Sequence, residues 1–259
     1  MIAEGTPPER FELEHAHYTE DIPFWLALAE EVSGPVVDIG AAVGRVTVPI
    51  ARRAIQVCAL DGSRGMLDVL EASLADESRF VPAHVMTALC DFRALDGGLG
   101  DLEFALALMP MNSLQALLTR DDQMACLTGI RRHLAPGGLF AFDVAVPDLD
   151  GIASALGQVQ PGACWHDPAR GVSLTHSAWF DTVDVESGTV AFTARIEQRD
   201  RDGTTSEYLR RHTVHLFSPS ELWDLLHEAG FEVQAVYGDF DGTPLTGGAE
   251  RQIYRCVVA

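Results

Sequence analysis

The sequence predicts an α/β fold, with a parallel sheet covered by helices on both faces and an inserted antiparallel β meander. Between residues 36 and 143, five short apolar segments alternate with amphipathic segments, which is the pattern of strands joined by crossover helices. After Gly151, long strand-like segments are separated by turns such as Glu186-Ser187-Gly188 and Asp202-Gly203, as in a meander. A chain of 259 residues can bury one sizeable core.

The first strand and the loop after it are the segment around which the other motifs are arranged. The β-branched residues 36–39 lead into Gly40-Ala41-Ala42-Val43-Gly44, and an amphipathic helix follows. Backbone N–H groups at the start of such a helix face a ligand bound at the carboxyl end of the strand. The loop lacks the complete G-x-G-x-x-G spacing, so by itself it fits an ordinary strand–helix turn equally well.

The other core elements follow in order. A helix that opens at Glu20-Asp21 precedes the first strand, and Ser63 caps the helix after the second strand. Acids at the carboxyl ends of four strands predict a ligand site at this edge of the sheet, because α/β sheets bind their ligands there. The further strands are expected over residues 56–60, 85–89, 104–108 and 139–143, a helix opening at Asp121-Asp122 continues to Leu134, and the four acids are Asp38, Asp61, Asp91 and Asp143.

The C-terminal part begins with the meander, for which strands are predicted over residues 171–181, 190–200 and 206–217. Ser218-Pro219-Ser220-Glu221 then matches a capping box with proline at the first helical position. This helix ends at Gly230, and two strands over residues 231–237 and 252–258 close the chain.

Composition and charge exclude several classes of function. The formal charge of −20 argues against nucleic acid as a partner, since binding a phosphate backbone needs a basic surface. No apolar segment is long enough to span a bilayer, and the acidic start of the chain is unlike a signal peptide, so we expect no membrane association and a cytoplasmic protein. The five scattered cysteines predict buried thiols and no metal site. The absence of lysine excludes Schiff-base chemistry.

Seven motifs in order give the chain a resemblance to a known family. They are the helix led by Tyr18, segments 37–45, 60–67 and 90–92, Asn112-Ser113-Leu114, Leu134-Ala135-Pro136-Gly137-Gly138, and segment 220–231. Together they resemble class I S-adenosylmethionine (SAM)-dependent methyltransferases, and within these the small bacterial enzymes that methylate amino sugars and other small metabolites. The resemblance implies a Rossmann-like, seven-stranded methyltransferase sheet and methyl transfer to an N or O atom of a small molecule, with S-adenosylhomocysteine (SAH) as product.

The resemblance also implies that the chain is divided into three parts. Residues 1–34 would form an N-terminal lid segment and helix, and residues 35–160 together with 218–259 would form the SAM-binding core. Residues 161–217 match an insertion that, in such relatives, covers the substrate pocket or builds a dimer interface. The expected partners are therefore a small-molecule substrate and a second copy of the chain in a homodimer.

The resemblance assigns a role to each residue of the cofactor site. Gly40 to Gly44 would lie against the methionine part of SAM, and Asp61 would accept both ribose hydroxyls. Asp91 would accept the adenine amino group, Phe92 and Met66 would sandwich the ring, Met109 would lie under the sulfonium, and Tyr18 would close over the site. The complete expected set is Tyr18, Asp38, Gly40, Ala41, Ala42, Gly44, Asp61, Gly62, Met66, Cys90, Asp91, Phe92 and Met109. Two residues depart from the family pattern: Ala42 replaces the middle glycine, and Ala105 stands where an acid is usual.

Methyl transfer from a sulfonium needs alignment of the nucleophile and exclusion of water more than it needs a strong base. A hydroxyl acceptor does need a base, and histidine titrates nearest to neutral pH. Asn112 is positioned to orient a polar group of the substrate, or else serves as a helix-start residue. The candidate bases are His17, His166 and His176, which rank first as neighbours of Tyr18 or members of the insertion, followed by His15, His212 and His215.

Two other functions fit part of the pattern. A nicotinamide dehydrogenase also combines a glycine loop with an acid after the second strand, but the chain lacks the full glycine pattern and a catalytic Tyr/Lys pair. A SAM-binding protein that does not methylate, acting as a scaffold or in a cyclase-like reaction, would share every cofactor motif. Release of SAH distinguishes the methyltransferase from this alternative.

Overall fold

The computed structural model describes residues 7–259, apart from the side chain of Glu9, and contains two β-sheets. Residues 1–6, which include the acidic start and the first part of the expected lid segment, lie outside the described residues. The strands are β1 (Val36–Ile39), β2 (Val57–Asp61), β3 (Val85–Leu89), β4 (Phe104–Met109), β5 (Leu134–Ala145), β6 (Gln160–Asp167), β7 (Val172–Asp184), β8 (Thr189–Arg199), β9 (Thr205–His215), β10 (Phe231–Tyr237) and β11 (Arg251–Val258).

The large sheet has seven strands in the order β10-β11-β5-β4-β1-β2-β3. Strands β1 to β5 run parallel to one another, whereas β11 runs antiparallel to both β5 and β10. Together with the separate antiparallel sheet, this confirms the predicted fold class. Because the carboxyl ends of β1 to β5 meet at one edge, the acids that follow them are brought together there.

Helices cover both faces of this sheet. Leu28, Ile50 and Leu70 pack on one face, while Leu127 and Leu225 pack on the other. Ser63 and Ser218 cap their helices as predicted, each accepting the backbone N–H three residues on. The α-helices are α1 (Pro8–His15), α2 (Ile22–Glu31), α3 (Thr47–Ala51), α4 (Arg64–Leu74), α5 (Asp96–Leu99), α6 (Arg120–Arg132), α7 (Leu149–Ser154) and α8 (Pro219–Glu228).

The inserted sheet, here called sheet B, consists of β6-β7-β8-β9 in that order. The sequence predicted β7, β8 and β9 but missed β6, since most residues of β6 are exposed and show no apolar alternation. It also missed α1, whose packing partners lie in sheet B. The Tyr208 hydroxyl of β9 donates to Glu14 (2.5 Å), and Trp165 Nε1 of β6 donates to the Leu13 carbonyl (3.3 Å). These contacts connect residues more than 150 positions apart, beyond the reach of local patterns.

Strand β5 begins at Leu134, where the sequence predicted the end of a helix. Phe104 pairs with Leu134 and Leu106 pairs with Leu139, so Ala135-Pro136-Gly137-Gly138 forms an irregular bulge within the strand. Gly137 has φ 72°, a left-handed conformation that glycine adopts without strain. Within the described part of the chain, no helix has both the length and the apolarity needed to cross a membrane.

Candidate active site

A cleft of about 840 Å³ opens at the carboxyl ends of β1 to β5. We call its two ends the inner half, lined by the loops after β1, β2 and β3, and the outer half, lined by α1, the segment after β5 and one face of sheet B. The loop after β4 also contributes. The inner half contains Asp38, Gly40, Ala41, Ala42, Arg45, Val46, Asp61, Gly62, Ser63, Met66, Asp91, Phe92 and Arg93; the outer half contains Phe11, His15, Ala145, Val146, Asp148, Ile152, Phe180, Val190, Phe192, Arg210, His212, Val214 and Leu216.

The loop after β1 has a left-handed backbone at every second residue, with φ 77° at Gly40, 48° at Ala42 and 87° at Gly44. A Cβ on Gly44 would lie 2.3 Å from Leu70 Cδ1, so packing against α4 requires glycine there. Ala42 adopts a conformation that costs an L-residue about 1–2 kcal/mol. The structure thus explains why the family has glycine at this position and shows that alanine is accommodated at the expense of strain.

Asp61 joins this loop to the start of α4. Its Oδ2 accepts the Ala42 N–H (2.9 Å) and its Oδ1 accepts the Ser63 N–H (2.8 Å). Burial raises the pKa of this carboxyl, and the two hydrogen bonds oppose that rise. Because each carboxylate oxygen can accept more than one hydrogen bond, both retain capacity for a pair of neighbouring hydroxyls in the cleft.

Arg45 is held rigidly at the edge of the inner half. Its Nη1 and Nη2 donate to the two carboxylate oxygens of Asp21 (2.5 and 2.7 Å), and Nη1 also donates to the Tyr18 carbonyl (3.1 Å). Asp21 is fully buried and accepts the Trp25 Nε1–H as well (2.8 Å). A guanidinium fixed in this way is suited to binding a carboxylate through its remaining donors.

Two buried acids hold the loops after β1 and β4. Asp38 accepts the Thr47 hydroxyl (2.6 Å), and burial raises its pKa to about 6. Asp143 accepts the N–H groups of Met111 (2.7 Å) and Asn112 (3.3 Å), and burial raises its pKa to about 7. Met111 and Asn112 both have φ 57°. Asp143 therefore stabilises a strained loop that places Asn112 in the cleft.

Most of the predicted cofactor residues line the cleft, and so does the substrate candidate Asn112. Their contacts with SAM remain a prediction. Asp91 is already engaged, since Arg93 Nε donates to it at 2.9 Å. The predicted residues in the cleft are Asp38, Gly40, Ala41, Ala42, Asp61, Gly62, Met66, Asp91, Phe92 and Asn112.

Four predicted cofactor residues do not line the cleft: Met109, Cys90, Gly44 and Tyr18. Met109 is still part of β4, and its side chain is fully buried in the core. Met111, in the loop after β4, lines the cleft instead. Cys90 packs against Gly98, and Gly44 against α4. The Tyr18 ring lies 5.0 Å from the Arg45 guanidinium, and burial raises the pKa of Tyr18 to about 12.

The three first-ranked histidines also lie outside the cleft. His17 stacks on Trp165 with ring centroids 4.1 Å apart, His166 contacts Ser173 Oγ (3.0 Å), and His176 packs edge-on against Trp165. His15 and His212 line the outer half instead. The ranking went wrong because α1 was not predicted: its helical spacing places His15, not His17, on the face that carries Phe11.

His15 and His212 are neutral near pH 7. Burial, together with the positive charge of Arg210, lowers the pKa of each to about 4. His15 Nδ1 donates to the Phe11 carbonyl (2.8 Å), so its Nε2 is left as the acceptor nitrogen. His212 lies in a cross-strand row with Phe192 and Phe180 on the face of sheet B that lines the cleft.

Sequence reasoning missed several cleft residues. Tyr208, Arg210, His212 and Val214 alternate along β9, so they share one face of this strand. What the pattern lacked was any sign of which face meets the cleft. The missed residues are Phe11, Arg45, Arg93, Met111, Phe180, Phe192 and Arg210.

Comparisons with known proteins agree with this architecture. Residues 36–138 match the family model described as a methyltransferase domain. The putative methyltransferase YqeM of Bacillus subtilis is 22% identical over 258 residues, which cover 98% of this chain and 96% of that protein. Residues 36–138 therefore match methyltransferase domains in sequence, and the fold is the one that the resemblance to class I SAM-dependent methyltransferases implies.

Solved structures show the same fold over nearly the whole chain. The CcbJ methyltransferase of Streptomyces caelestis superposes with a TM-score of 0.74 at 24% identity, covering 98% of this chain and 97% of that one. CalS10, an amino pentose methyltransferase from Micromonospora echinaspora solved with bound SAM, has a TM-score of 0.67 at 17% identity and covers 98% and 93%. Both alignments include sheet B, so the insertion belongs to the shared architecture.

Proposed function

We propose that the protein transfers the methyl group of SAM to an N or O atom of a small metabolite. The observation that carries this proposal is the continuous cleft, whose inner half presents the cofactor motifs and whose outer half is a largely apolar chamber. A polymer such as nucleic acid would meet a surface with a net charge of −20, whereas a small molecule fits a chamber roofed by α1 and sheet B.

The residues of the inner half fit SAM chemically. Asp61 offers acceptor capacity for the two ribose hydroxyls, and Arg45 offers donors for the carboxylate of the methionine part. A Cβ on Gly40 would approach Ser113 Oγ to 3.0 Å, so glycine keeps the floor of the loop clear. Phe92 and Met66 supply apolar surface for the adenine ring.

SAM supplies an electrophilic methyl group, and the chain must align the acceptor and exclude water. The outer half does this with apolar walls and with α1 as the cover. For a neutral amine no strong base is needed; for a hydroxyl, the unprotonated His15 Nε2 is the available acceptor nitrogen. We propose His15 in place of His17, His166 and His176, with Asn112 orienting the acceptor.

Residues 161–217 act in this proposal as the cover of the substrate pocket, and residues 1–34 include the lid. A homodimer built through sheet B remains a prediction. A SAM-binding protein that does not methylate would have the same cofactor site. The test must therefore measure turnover as well as binding.

The experiment is an incubation of the purified protein with methyl-labelled SAM and a panel of amino- and hydroxyl-bearing metabolites, including amino sugars. Formation of SAH together with a labelled product supports the proposal. SAM binding without SAH formation above the background of a boiled control would favour the non-methylating scaffold.

A further inference from the structure

Arg210 lines the outer half of the cleft, and its guanidinium is not saturated by the protein. Its side chain is 10% exposed. Its Nη2 lies 2.7 Å from Glu14 Oε2, and its buried Nε has no hydrogen-bond partner within residues 7–259. Leaving a buried donor unpaired costs about 1–3 kcal/mol, so a group that accepts from the part of the guanidinium that lines the cleft would be bound favourably.

The guanidinium is fixed in position before any ligand arrives. Glu14, which is nearly fully buried on α1, also accepts the Tyr208 hydroxyl (2.5 Å). Arg10 covers the other side of the Tyr208 ring at 4.2 Å. Because Tyr208 and Arg210 are two residues apart on β9, both face α1, and the ion pair with Glu14 holds the guanidinium without occupying all its donors.

An aromatic wall lies beside this donor. Phe180, Phe192 and His212 are paired across β7, β8 and β9, one step along the same face from Arg210. The rings of Phe192 and His212 are stacked, with centroids 4.8 Å apart and planes inclined by 17°. Phe11 adds a further ring from α1. Such a wall favours a flat, apolar body.

We propose that the substrate carries a ring that lies against this wall and a carbonyl-type oxygen, either of a carboxylate or of a neutral carbonyl, that accepts from Arg210. The inference rests on the proposed function, because it takes the outer half as the acceptor chamber. The Cα atoms of His212 and Arg210 are roughly 7 Å apart along β9, so one small molecule can contact both side chains. Among charged side chains of the outer half, Asp148 is already used, since it caps α7 by accepting the Gly151 N–H (3.0 Å).

The test uses four ring fragments as probes: benzoate, benzamide, benzyl alcohol and benzylamine. Their binding to the SAH-saturated protein is measured by saturation-transfer NMR. The variants are Arg210→Lys, which keeps a cation for Glu14 but loses the further donors of the guanidinium, and the charge-balanced double variant Glu14→Gln/Arg210→Gln. Arg195→Gln is the matched control, because Arg195 lies on β8 of the same sheet, exposed and paired with Glu207.

We expect benzoate, benzamide or both to bind more tightly than the alcohol and the amine, and to bind roughly tenfold more weakly in both Arg210 variants. Arg195→Gln should bind as wild type does. Preference for benzoate would identify a carboxylate, and equal binding of benzamide a neutral carbonyl. The inference is overturned if the amine or alcohol binds as tightly, if neither carbonyl probe binds, or if the Arg210 variants bind unchanged. SAH binding is measured first in every sample, so loss of the proposed function itself is seen separately.

Discussion

The two halves of the cleft are built in different ways. The inner half is formed by turns that each follow a strand of the large sheet, and its contacts join one such turn to itself or to the next, such as Asp61 with Ser63 and with Ala42. The outer half is assembled from distant segments, as the contact of Glu14 with Tyr208 shows. The inner half is therefore suited to a single ligand that does not vary. In the outer half, sheet B and α1 determine the shape of the chamber.

The electrostatics of the two halves differ as well. The acids that hold the loops after β1 and β4 at the inner end of the cleft have pKa values that burial raises, Asp38 to about 6 and Asp143 to about 7. The outer half contains histidines whose pKa burial lowers to about 4. A change of pH therefore acts on the two halves with opposite sign.

The largest expected effect is on stability, through the ion pair of Glu14 and Arg210 that joins α1 to sheet B. Replacing Glu14 with Leu leaves the Arg210 guanidinium buried without its counter-ion, which should lower the free energy of unfolding by about 3–5 kcal/mol. Urea denaturation measures this change. The double variant Glu14→Leu/Arg210→Leu should recover most of the loss, because replacing a whole buried pair with apolar residues is nearly neutral. A double variant as unstable as the single one would show that the ion pair is not what connects α1 to sheet B.

The next largest effect is expected on SAH binding in the inner half. Asp61→Ala should weaken SAH binding by roughly tenfold or more, because the ribose hydroxyls lose a charged acceptor and the loop loses the carboxylate that holds Ala42. Calorimetric titration measures it. Asp68→Ala, an exposed acid on α4, is the control and should bind SAH as wild type does. Unchanged binding in Asp61→Ala would remove the cofactor assignment.

A smaller effect is expected on the pH dependence of stability, through His15 and His212. In the folded state His15 and His212 have pKa values near 4, below the unfolded value, so they contribute stability that is present above about pH 6.5 and lost as pH falls toward 4. Acidification from pH 7.5 to 5 should cost about 1 kcal/mol for each histidine, after allowance for their partial exposure. Asp38 and Asp143 act in the opposite direction over the same range.

The measurement for this effect is the free energy of unfolding at the two pH values for wild type and for His15→Gln/His212→Gln. The double variant should lose less stability on acidification than wild type. The exposed His227, replaced by Gln, serves as control and should behave as wild type. If the double variant lost as much stability on acidification as wild type does, these histidines would not be the cause of the loss.

The smallest effect concerns strain in the loop after β1. Ala42→Gly should relieve the left-handed conformation at the cost of a more flexible unfolded chain, for a net change of up to about 1 kcal/mol. SAH affinity should be equal or higher, as titration of the variant can show. A large loss of affinity would mean that the loop is not shaped by its alternating left-handed residues.

This contrast also explains what the sequence could predict. The seven-stranded sheet, the caps at Ser63 and Ser218 and most of the inner half follow from local patterns, because each strand, turn and helix start is encoded within a few residues. Met109 does not line the cleft because it is still part of β4, whereas Met111 lies in the loop beyond the strand and does line it. The outer half was poorly predicted, since α1 is held by segments distant in sequence, α4 and sheet B, and His15 reaches the cleft only through α1.

The central claim is that the inner half binds SAM, and calorimetric titration of the purified protein with SAM and SAH tests it most directly, after a check for copurified ligand. The account predicts saturable binding of both, with a clear loss in Asp61→Ala and none in Asp68→Ala. A folded, ligand-free protein that binds neither would contradict it.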